Sequence, residues 1–342
     1  MFNLSHIFII LNPSAPNSET NKLSTFEKDI VEGLEATQKK LSSKYFYDTE
    51  GSKLFQAIMN LPEYYLTRSE FEIFESYKEN LYKQFSKDTK TFNLVELGAG
   101  DGLKTQVLLS YFVEKTMPFT YLPIDISAEA LNQLKGRFNK TIPSLNFEGI
   151  EGEYFEALAQ LKTKNNSSKV ENTRNIVLFL GSNIGNFGNE QSLTFLKQLA
   201  QNLNQDDYLL LGFDLKKHPQ IIKMAYNDAS GVTKAFNLNL LKRINRELEG
   251  NFNIEKFDFY STYIPETGEV RSYIVSAAKQ KVVLKKLNKT IQFEWGETIH
   301  TEISRKYSAI QMQEIAIEAG FEFVESYTDC KGYFMDMLLR VK

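Results

Sequence analysis

The chain has 342 residues and a formal net charge of −3, with a hydrophobic fraction of 42% and a charged fraction of 24%. These values are typical of a soluble globular protein that is long enough for two domains or one large one. The slightly acidic balance, without a long Lys/Arg stripe, gives no electrostatic case for binding nucleic acid.

Cysteine and histidine usage narrows the class of protein further. Cys330 is the single cysteine, so an intrachain disulfide is excluded, as is typical of the reducing cytoplasm. The three histidines lack ligand spacing, so we expect no metal site. The apolar run at residues 7–11 is too short to span a membrane. It lacks a basic region before it, which argues against a signal peptide. A leader segment and a docked strand remain as alternative interpretations of this run. We therefore expect a cytoplasmic monomer.

The first quarter of the chain is predicted to be mainly helical, and part of it is rich in aromatic residues. Apolar spacing predicts a helix over residues 20–45, and charged residues predict another over 69–90. Between them, residues 46–68 are dense in Phe and Tyr. Gly51-Ser52 and residues 61–63 are interpreted there as turn signals.

Strands and helices alternate in the next part of the chain. Strands are predicted at 93–97, 119–124, near 145–150, at 176–180 and at 208–213, with helices near 102–114 and after an N-cap at Ser127. This alternation predicts a parallel sheet that binds ligands at the carboxyl ends of its strands.

Residues 216–306 depart from this pattern. Helices at 217–228 and 234–248 precede strands near 256–264, 269–277 and 281–294. The first pattern then returns, with a helix at 309–319 and strands at 321–327 and 332–341. The sequence thus predicts a doubly wound α/β core, residues 70–215 and 307–342, that is interrupted by an α+β insert. We expect residues 1–69 to join the insert, residues 216–306, in a second domain.

A glycine turn closes the first strand of the core. Residues 92–97 run into Gly98, Gly100 and Gly102, and Glu96 lies two positions before the first glycine. Neither the dinucleotide fingerprint nor the phosphate loop fits this spacing. An acidic residue before G-x-G-x-G resembles the first motif of Rossmann-type S-adenosylmethionine methyltransferases. A tight strand–helix turn without a ligand is the alternative at this point.

Polar residues follow the next strands. Asp125 ends the second strand, where its carboxylate can accept hydrogen bonds from both ribose hydroxyls of an adenosine or else cap a helix. Glu153 and Tyr154 follow the third strand, at a place where a ring and a polar group can hold adenine. For that pair alone, an ordinary structural role is favoured.

Three further groups suggest a site for an amino acid. Asn186, in a strand-end loop with two glycines, offers a donor and an acceptor, although a turn residue is the alternative. Glu302 and Ser304 share one face if they lie in a strand, and together can bind both nitrogens of an imidazole; a surface pair is the alternative. For Tyr47, Tyr64 and Tyr226, core packing is favoured if each is taken alone.

Together these residues resemble the L-histidine Nα-methyltransferase family of the ergothioneine pathway. The resemblance extends from about residue 44 to residue 341, in segments 45–48, 51–52, 61–65, 67–68, 95–98, 179–186, 225–226, 231–233, 235–237, 244–248 and 301–304. It implies a Rossmann-like class I methyltransferase core with an inserted α+β substrate-binding domain. It also implies S-adenosyl-L-methionine as cofactor and methylation of the α-amine of L-histidine, three times, to hercynine.

The resemblance also implies roles for individual residues. The methyl-donor contacts fall on Gly98, Lys104, Asp125, Glu153 and Tyr154. The substrate contacts fall on Tyr64, Asn186, Tyr226, Glu302 and Ser304. Within that group, Asn186 and Tyr226 correspond to residues that bind the carboxylate, whereas Glu302 and Ser304 correspond to those that bind the imidazole. Tyr47 corresponds to an aromatic residue near the reacting amine.

The chain departs from the family pattern at a few positions. Glu153-Tyr154 replaces an Asp-Phe pair, Asn183 replaces a threonine, and Ser272 stands where family members have a methionine near the imidazole. The last difference keeps open an alternative substrate, another amino acid or an indole amine. A second alternative, of another class, is a catalytically silent adenosyl-ligand-binding protein or scaffold.

Overall fold

The computed structural model describes residues 23–167 and 173–342. The apolar run at residues 7–11 lies outside these ranges. Within them, no helix combines the length and the apolar character that crossing a membrane requires.

Helices and strands alternate much as the sequence predicts. The helices are α1 Thr25–Glu35, α2 Thr49–Met59, α3 Tyr65–Phe85, α4 Thr105–Phe112, α5 Ala128–Thr141, α6 Tyr154–Ser167, α7 Asn189–Gln201, α8 Pro219–Ala225, α9 Val232–Leu248 and α10 Ala309–Glu318. The strands are β1 Thr91–Leu97, β2 Phe119–Asp125, β3 Ile150–Glu151, β4 Thr173–Phe179, β5 Tyr208–Asp214, β6 Phe257–Ile264, β7 Glu269–Ser276, β8 Gln280–Leu284, β9 Lys289–Phe293, β10 Thr298–Arg305, β11 Phe321–Thr328 and β12 Phe334–Val341.

Seven strands form the main sheet, in the order β11-β12-β5-β4-β1-β2-β3. Strands β1 to β5 pair in parallel, and β12 runs antiparallel to β5. The strand order reverses at β1, which lies between β4 and β2, so the carboxyl ends of β1 and β4 border a crevice. The structure therefore confirms the Rossmann-like doubly wound core.

A second group of strands belongs to the region that the sequence sets apart. Strands β10, β7 and β6 form an antiparallel sheet, and β8 and β9 form a hairpin. A hydrophobic cluster joins this region to the beginning of the chain: Ile30 and Phe46 pack in one core with Phe236, Ile274 and Ile299. This apolar contact fixes the insert against the N-terminal helices.

Two local predictions are wrong. Gly51-Ser52 is part of α2 and not a turn, because Asp48 caps that helix by accepting from the Gly51 N–H at 2.7 Å. Glycine is needed there for close approach, since a Cβ on Gly51 would lie 1.7 Å from the Phe46 carbonyl oxygen. The single strand predicted at 281–294 is the hairpin β8–β9, which reverses near Asn288 at a φ of 49°.

Other boundaries also shift. Helix α1 is shorter than the predicted helix over 20–45, and β3 has only two residues. Helices α6 and α7 had no sequence prediction. The N-cap at Ser127 is confirmed, because its hydroxyl accepts from the Ala130 N–H at 3.2 Å.

Candidate active site

Two adjoining cavities open at the crevice of the main sheet. The outer cleft is lined by the glycine turn after β1. The inner cavity lies towards the small sheet that contains β10. Six residues line both: Tyr47, Phe55, Tyr64, Leu66, Gly181 and Asn183. A molecule in the outer cleft is therefore next to one in the inner cavity.

The outer cleft depends on the glycines of its turn. Gly98 has a φ of 75°, and a Cβ there would lie 2.8 Å from the Tyr154 hydroxyl. Gly102 has a φ of 67°, and its Cβ would lie 2.7 Å from a methyl group of Leu134. Because both positions need left-handed backbone and close approach, only glycine keeps the turn open to a ligand.

Glu96 stabilises the turn from below. Its carboxylate accepts from Thr105 Oγ1 at 2.7 Å and from the Tyr121 hydroxyl, so it ties β1 to α4 and β2. Burial raises the pKa of Glu96 to about 7, although these two hydrogen bonds and the charge of Lys104 oppose the rise. The acidic position of the motif thus has a bracing role.

Lys104 lines the outer cleft and joins three elements. Its ammonium pairs with the fully buried Glu70 of α3, whose other oxygen accepts from the Gly181 N–H at 2.7 Å after β4. Burial alone would lower the pKa of Lys104, but Glu70 outweighs it and the pKa is raised. Asp336 on β12 is buried beside this pair, and burial and Glu70 hold its pKa well above the usual range.

Asp125 and the Glu153-Tyr154 pair lie beside the outer cleft but are not among the residues that line it. Asp125 ends β2, next to the beginning of α6, and accepts from the Ser127 N–H at 2.8 Å. Burial raises its pKa to about 6, against backbone hydrogen bonds that lower it. Tyr154 packs beneath Gly98. The structure therefore brings Gly98 and Lys104 into the cleft and places Asp125, Glu153 and Tyr154 at its margin.

The inner cavity brings together every residue that was predicted to contact the substrate. Four of them lie in loops: one after the short helical turn 43–46, one just before α3, one after β4 and one after α8. The other two lie in strand β10. The residues are Tyr47, Tyr64, Asn186, Tyr226, Glu302 and Ser304. Thr233, in the first turn of α9, also lines this cavity and had no sequence-based role.

A buried hydrogen-bond network forms one wall of the inner cavity. The Tyr226 hydroxyl lies 2.9 Å from Ser304 Oγ. The Lys306 ammonium donates to both, at 2.7 Å to the Tyr226 hydroxyl and at 2.9 Å to Ser304 Oγ. Lys306 also pairs with Asp214 Oδ2 at 2.8 Å, and both side chains are fully buried. Lys306 had no sequence-based role, although it continues the alternation of Glu302 and Ser304.

Glu302 is the acidic group of the inner cavity. Burial raises its pKa to about 7, and the charge of Lys306 opposes the rise. Across the small sheet, Glu302 pairs with Ser272, which is buried and is not among the cavity-lining residues. The departure at Ser272 therefore lies beside the acidic group on the same face of the small sheet, although Ser272 does not line the cavity.

The described residues offer no group of three or more His, Cys, Asp or Glu side chains placed to hold a metal ion. Residues 26–341 match the family model described as "Histidine-specific methyltransferase, SAM-dependent". The chain belongs to this family. Its methyl donor is therefore S-adenosylmethionine, and the chain is an S-adenosylmethionine-dependent methyltransferase.

Curated relatives are similar over most of this methyltransferase. Histidine N-alpha-methyltransferase of Mycolicibacterium smegmatis is 33% identical over 90% of this chain and 92% of its own. Ergothioneine biosynthesis protein 1 of Schizosaccharomyces pombe is 30% identical over 88% of this chain and 38% of its own. N-methyltransferase fsqC of Aspergillus fumigatus is 28% identical over 91% of this chain and 85% of its own.

Proposed function

We propose that this methyltransferase acts on the α-amine of L-histidine and transfers three methyl groups in succession to give the betaine hercynine. The observation that carries the proposal is the inner cavity, where Asn186, Tyr226, Glu302 and Ser304 line one space next to the glycine turn. The histidine N-alpha-methyltransferase of M. smegmatis, similar over nine tenths of both chains, supports the same substrate.

Two pairs of side chains divide the recognition of histidine in this proposal. Asn186 and Tyr226 bind the α-carboxylate, since an amide and a phenol both donate hydrogen bonds. Glu302 accepts the N–H of the imidazole and Ser304 donates to its other nitrogen. A neutral imidazole has one donor and one acceptor, so this pair matches it.

The reacting amine lies, in this proposal, between the two cavities, where Tyr47 and Tyr64 are shared. S-adenosylmethionine supplies an electrophilic methyl group when bound. Gly98 and Lys104 line the cleft that holds it, with Asp125, Glu153 and Tyr154 at the margin that faces its adenosine. Burial keeps the pKa of Tyr47 well above its usual value, with Glu302 adding to the rise, so Tyr47 steers the amine by hydrogen bonding and does not act as a base.

We also propose the two-domain division of the chain: a methyltransferase core of residues 70–215 and 307–342, and a substrate-binding domain of residues 1–69 and 216–306. The hydrophobic cluster shared by α1, α2, α9 and the small sheet supports it. A reducing cytoplasmic location is proposed on the single, exposed Cys330.

The alternative substrate is another amino acid or an indole amine. Ser272 beside Glu302 favours it, because a serine stands there in place of the methionine of the family pattern. The similarity to fsqC, named an N-methyltransferase, is compatible with either substrate.

Calorimetric titration with S-adenosylhomocysteine present distinguishes these substrates. The proposal predicts heat on adding histidine and none on adding tryptophan at the same concentration. Heat with tryptophan alone supports the alternative. Absence of heat with both contradicts the proposed site.

A further inference from the structure

Lys306 is a buried cation that touches both halves of the inner cavity. Its side chain is fully buried, and it follows Glu302 and Ser304 at the next alternate position of β10 and its extension. A buried ammonium is costly unless all its hydrogens are bonded and its charge is balanced. Lys306 pairs with Asp214, which also pairs with Lys217, so the position of Lys306 is determined by this buried network and not by solvent.

The hydrogen count at Lys306 decides what the neighbouring hydroxyls can do. An ammonium has three N–H donors and no acceptor. Its three oxygen neighbours are Asp214 Oδ2 at 2.8 Å, the Tyr226 hydroxyl at 2.7 Å and Ser304 Oγ at 2.9 Å. All three donors are therefore used, and both hydroxyls accept from Lys306.

The two hydroxyls also share one hydrogen bond, at 2.9 Å, in which either can donate. Two hydroxyls carry two hydrogens, and this mutual bond uses one of them. The other hydrogen is directed away from Lys306. Because both side chains line the inner cavity, that hydrogen is available to a ligand as a donor, and the second becomes available when the ligand replaces the mutual bond.

We propose that Lys306 is a positioning residue, which turns the Tyr226–Ser304 pair into a hydrogen-bond donor towards the substrate and holds Glu302 as the carboxylate. This inference rests on the proposed function, because the donor and the carboxylate are the two groups that a neutral imidazole needs. The positive charge is placed behind the hydroxyls and makes no contact of its own with histidine.

The electrostatic part of the proposal depends on every group that faces Glu302. Burial raises the pKa of Glu302 to about 7 and Lys306 lowers it, so removing Lys306 raises it further. The rings nearby are neutral, since burial holds their pKa values well above the usual range, and His300 contacts the backbone of Glu302. The facing groups are Tyr47, Tyr64, Tyr226, Lys306 and His300.

A matched control lies on the same aspartate. Lys217 is also buried and also pairs with Asp214, but its other partners are the Tyr65 hydroxyl and the Leu215 carbonyl. Lys306→Met and Lys217→Met each remove one buried cation from Asp214. Only the first removes the contacts with Tyr226 and Ser304.

The test is an infrared titration of the Glu302 carboxyl in the ligand-free protein, taken as the difference between each background and its Glu302→Gln counterpart. The proposal predicts a higher midpoint in Lys306→Met than in the unaltered protein and the same midpoint in Lys217→Met. Equal midpoints in all three overturn it. Should Lys306→Met not fold, Lys306→Gln removes the positive charge, keeps a polar side chain and gives the same readout.

A second measurement connects the network to the substrate. The affinity for histidine should fall at least about tenfold in Lys306→Met, as expected for loss of a charged hydrogen-bond partner, with unchanged affinity for S-adenosylhomocysteine. Equal loss in Lys217→Met would mean that the lysine is only structural. If the unaltered protein does not bind histidine, the proposed function fails, while the infrared midpoints still decide the role of Lys306.

Discussion

The Tyr226 hydroxyl lies 2.9 Å from Ser304 Oγ, although the two residues are 78 positions apart in the chain. This contact joins the end of α8 to β10 inside the inner cavity. It places the residue proposed to bind the carboxylate of histidine against the residue proposed to bind its ring. A single amino acid of histidine's length can therefore contact both, which is the geometric basis of the account.

Glu302→Ala tests whether the Glu302 carboxylate binds the imidazole of histidine. We expect the affinity for histidine to weaken by about 1.5–3 kcal/mol, the range for a hydrogen bond to a charged group. Calorimetry with S-adenosylhomocysteine present measures it. Glu255→Ala, an exposed glutamate in the same insert, is the control and should bind like the unaltered protein. An unchanged affinity in Glu302→Ala would show that this carboxylate does not bind the ring.

The raised pKa of Glu302 predicts how stability depends on pH. Its folded-state value of about 7 exceeds the ordinary 4.5, so the stability it contributes is present below about 4.5 and lost as the pH rises through 7. Glu302→Gln does not titrate. Its melting temperature relative to the unaltered protein should therefore be higher at pH 8 than at pH 5. A difference that is the same at both pH values contradicts burial of the ionised group.

Gly98→Ala tests the glycine turn. Alanine would have to adopt the left-handed φ of 75° and its Cβ would crowd the Tyr154 hydroxyl. The substitution should therefore lower the free energy of unfolding by about 1–3 kcal/mol and abolish binding of S-adenosylhomocysteine. Gly98→Ala/Tyr154→Phe removes the contact but leaves the backbone strain, so it should recover only part of the stability.

Gly136→Ala is the control for that substitution. This glycine lies in the middle of α5 with open space around it, so alanine should stabilise the protein by about 0.5–1 kcal/mol. Chemical denaturation measures all three variants. A Gly98→Ala protein as stable as the parent would mean that the turn tolerates a side chain.

Lys104→Met tests the other contact of the outer cleft. The loss should lower the affinity for S-adenosylhomocysteine about tenfold or more, as for a charged partner, and lower the melting temperature, because Glu70 is left buried without its cation. Lys104→Met/Glu70→Gln removes the unpaired charge, so it should regain stability without regaining affinity. Lys135→Met, exposed on α5, is the control. Restored affinity in the double variant would make the role of Lys104 purely structural.

The main sheet was predictable because its signals are local. Continuous apolar runs such as that of β5 mark strands buried on both faces, and a hydroxyl such as Ser127 marks a helix start. The glycine turn was predictable for the same reason, since the backbone at Gly98 demands glycine whatever surrounds it. The turn predicted at Gly51 was wrong because a tertiary contact requires the glycine: Gly51 packs on a carbonyl, and the chain does not turn there.

The inner cavity could not be predicted from local sequence patterns. Tyr226 and Ser304 meet only because α8 and β10 fold against the same strand end, and spacing along the chain carries no trace of this. The roles of these residues came from the family resemblance. The buried charge of Lys306 had no sequence signal, since an isolated lysine is usually exposed. The hairpin β8–β9 was missed because Asn288 is its only strong turn residue.

The most direct test of the central claim is mass spectrometry of a reaction that contains the purified protein, S-adenosylmethionine and L-histidine. We expect products that carry one, two and finally three added methyl groups on the α-nitrogen, with one S-adenosylhomocysteine formed for each methyl group transferred. Tryptophan, offered under the same conditions, should remain unchanged. Histidine that stays unmethylated, while the protein binds S-adenosylhomocysteine, would contradict the account.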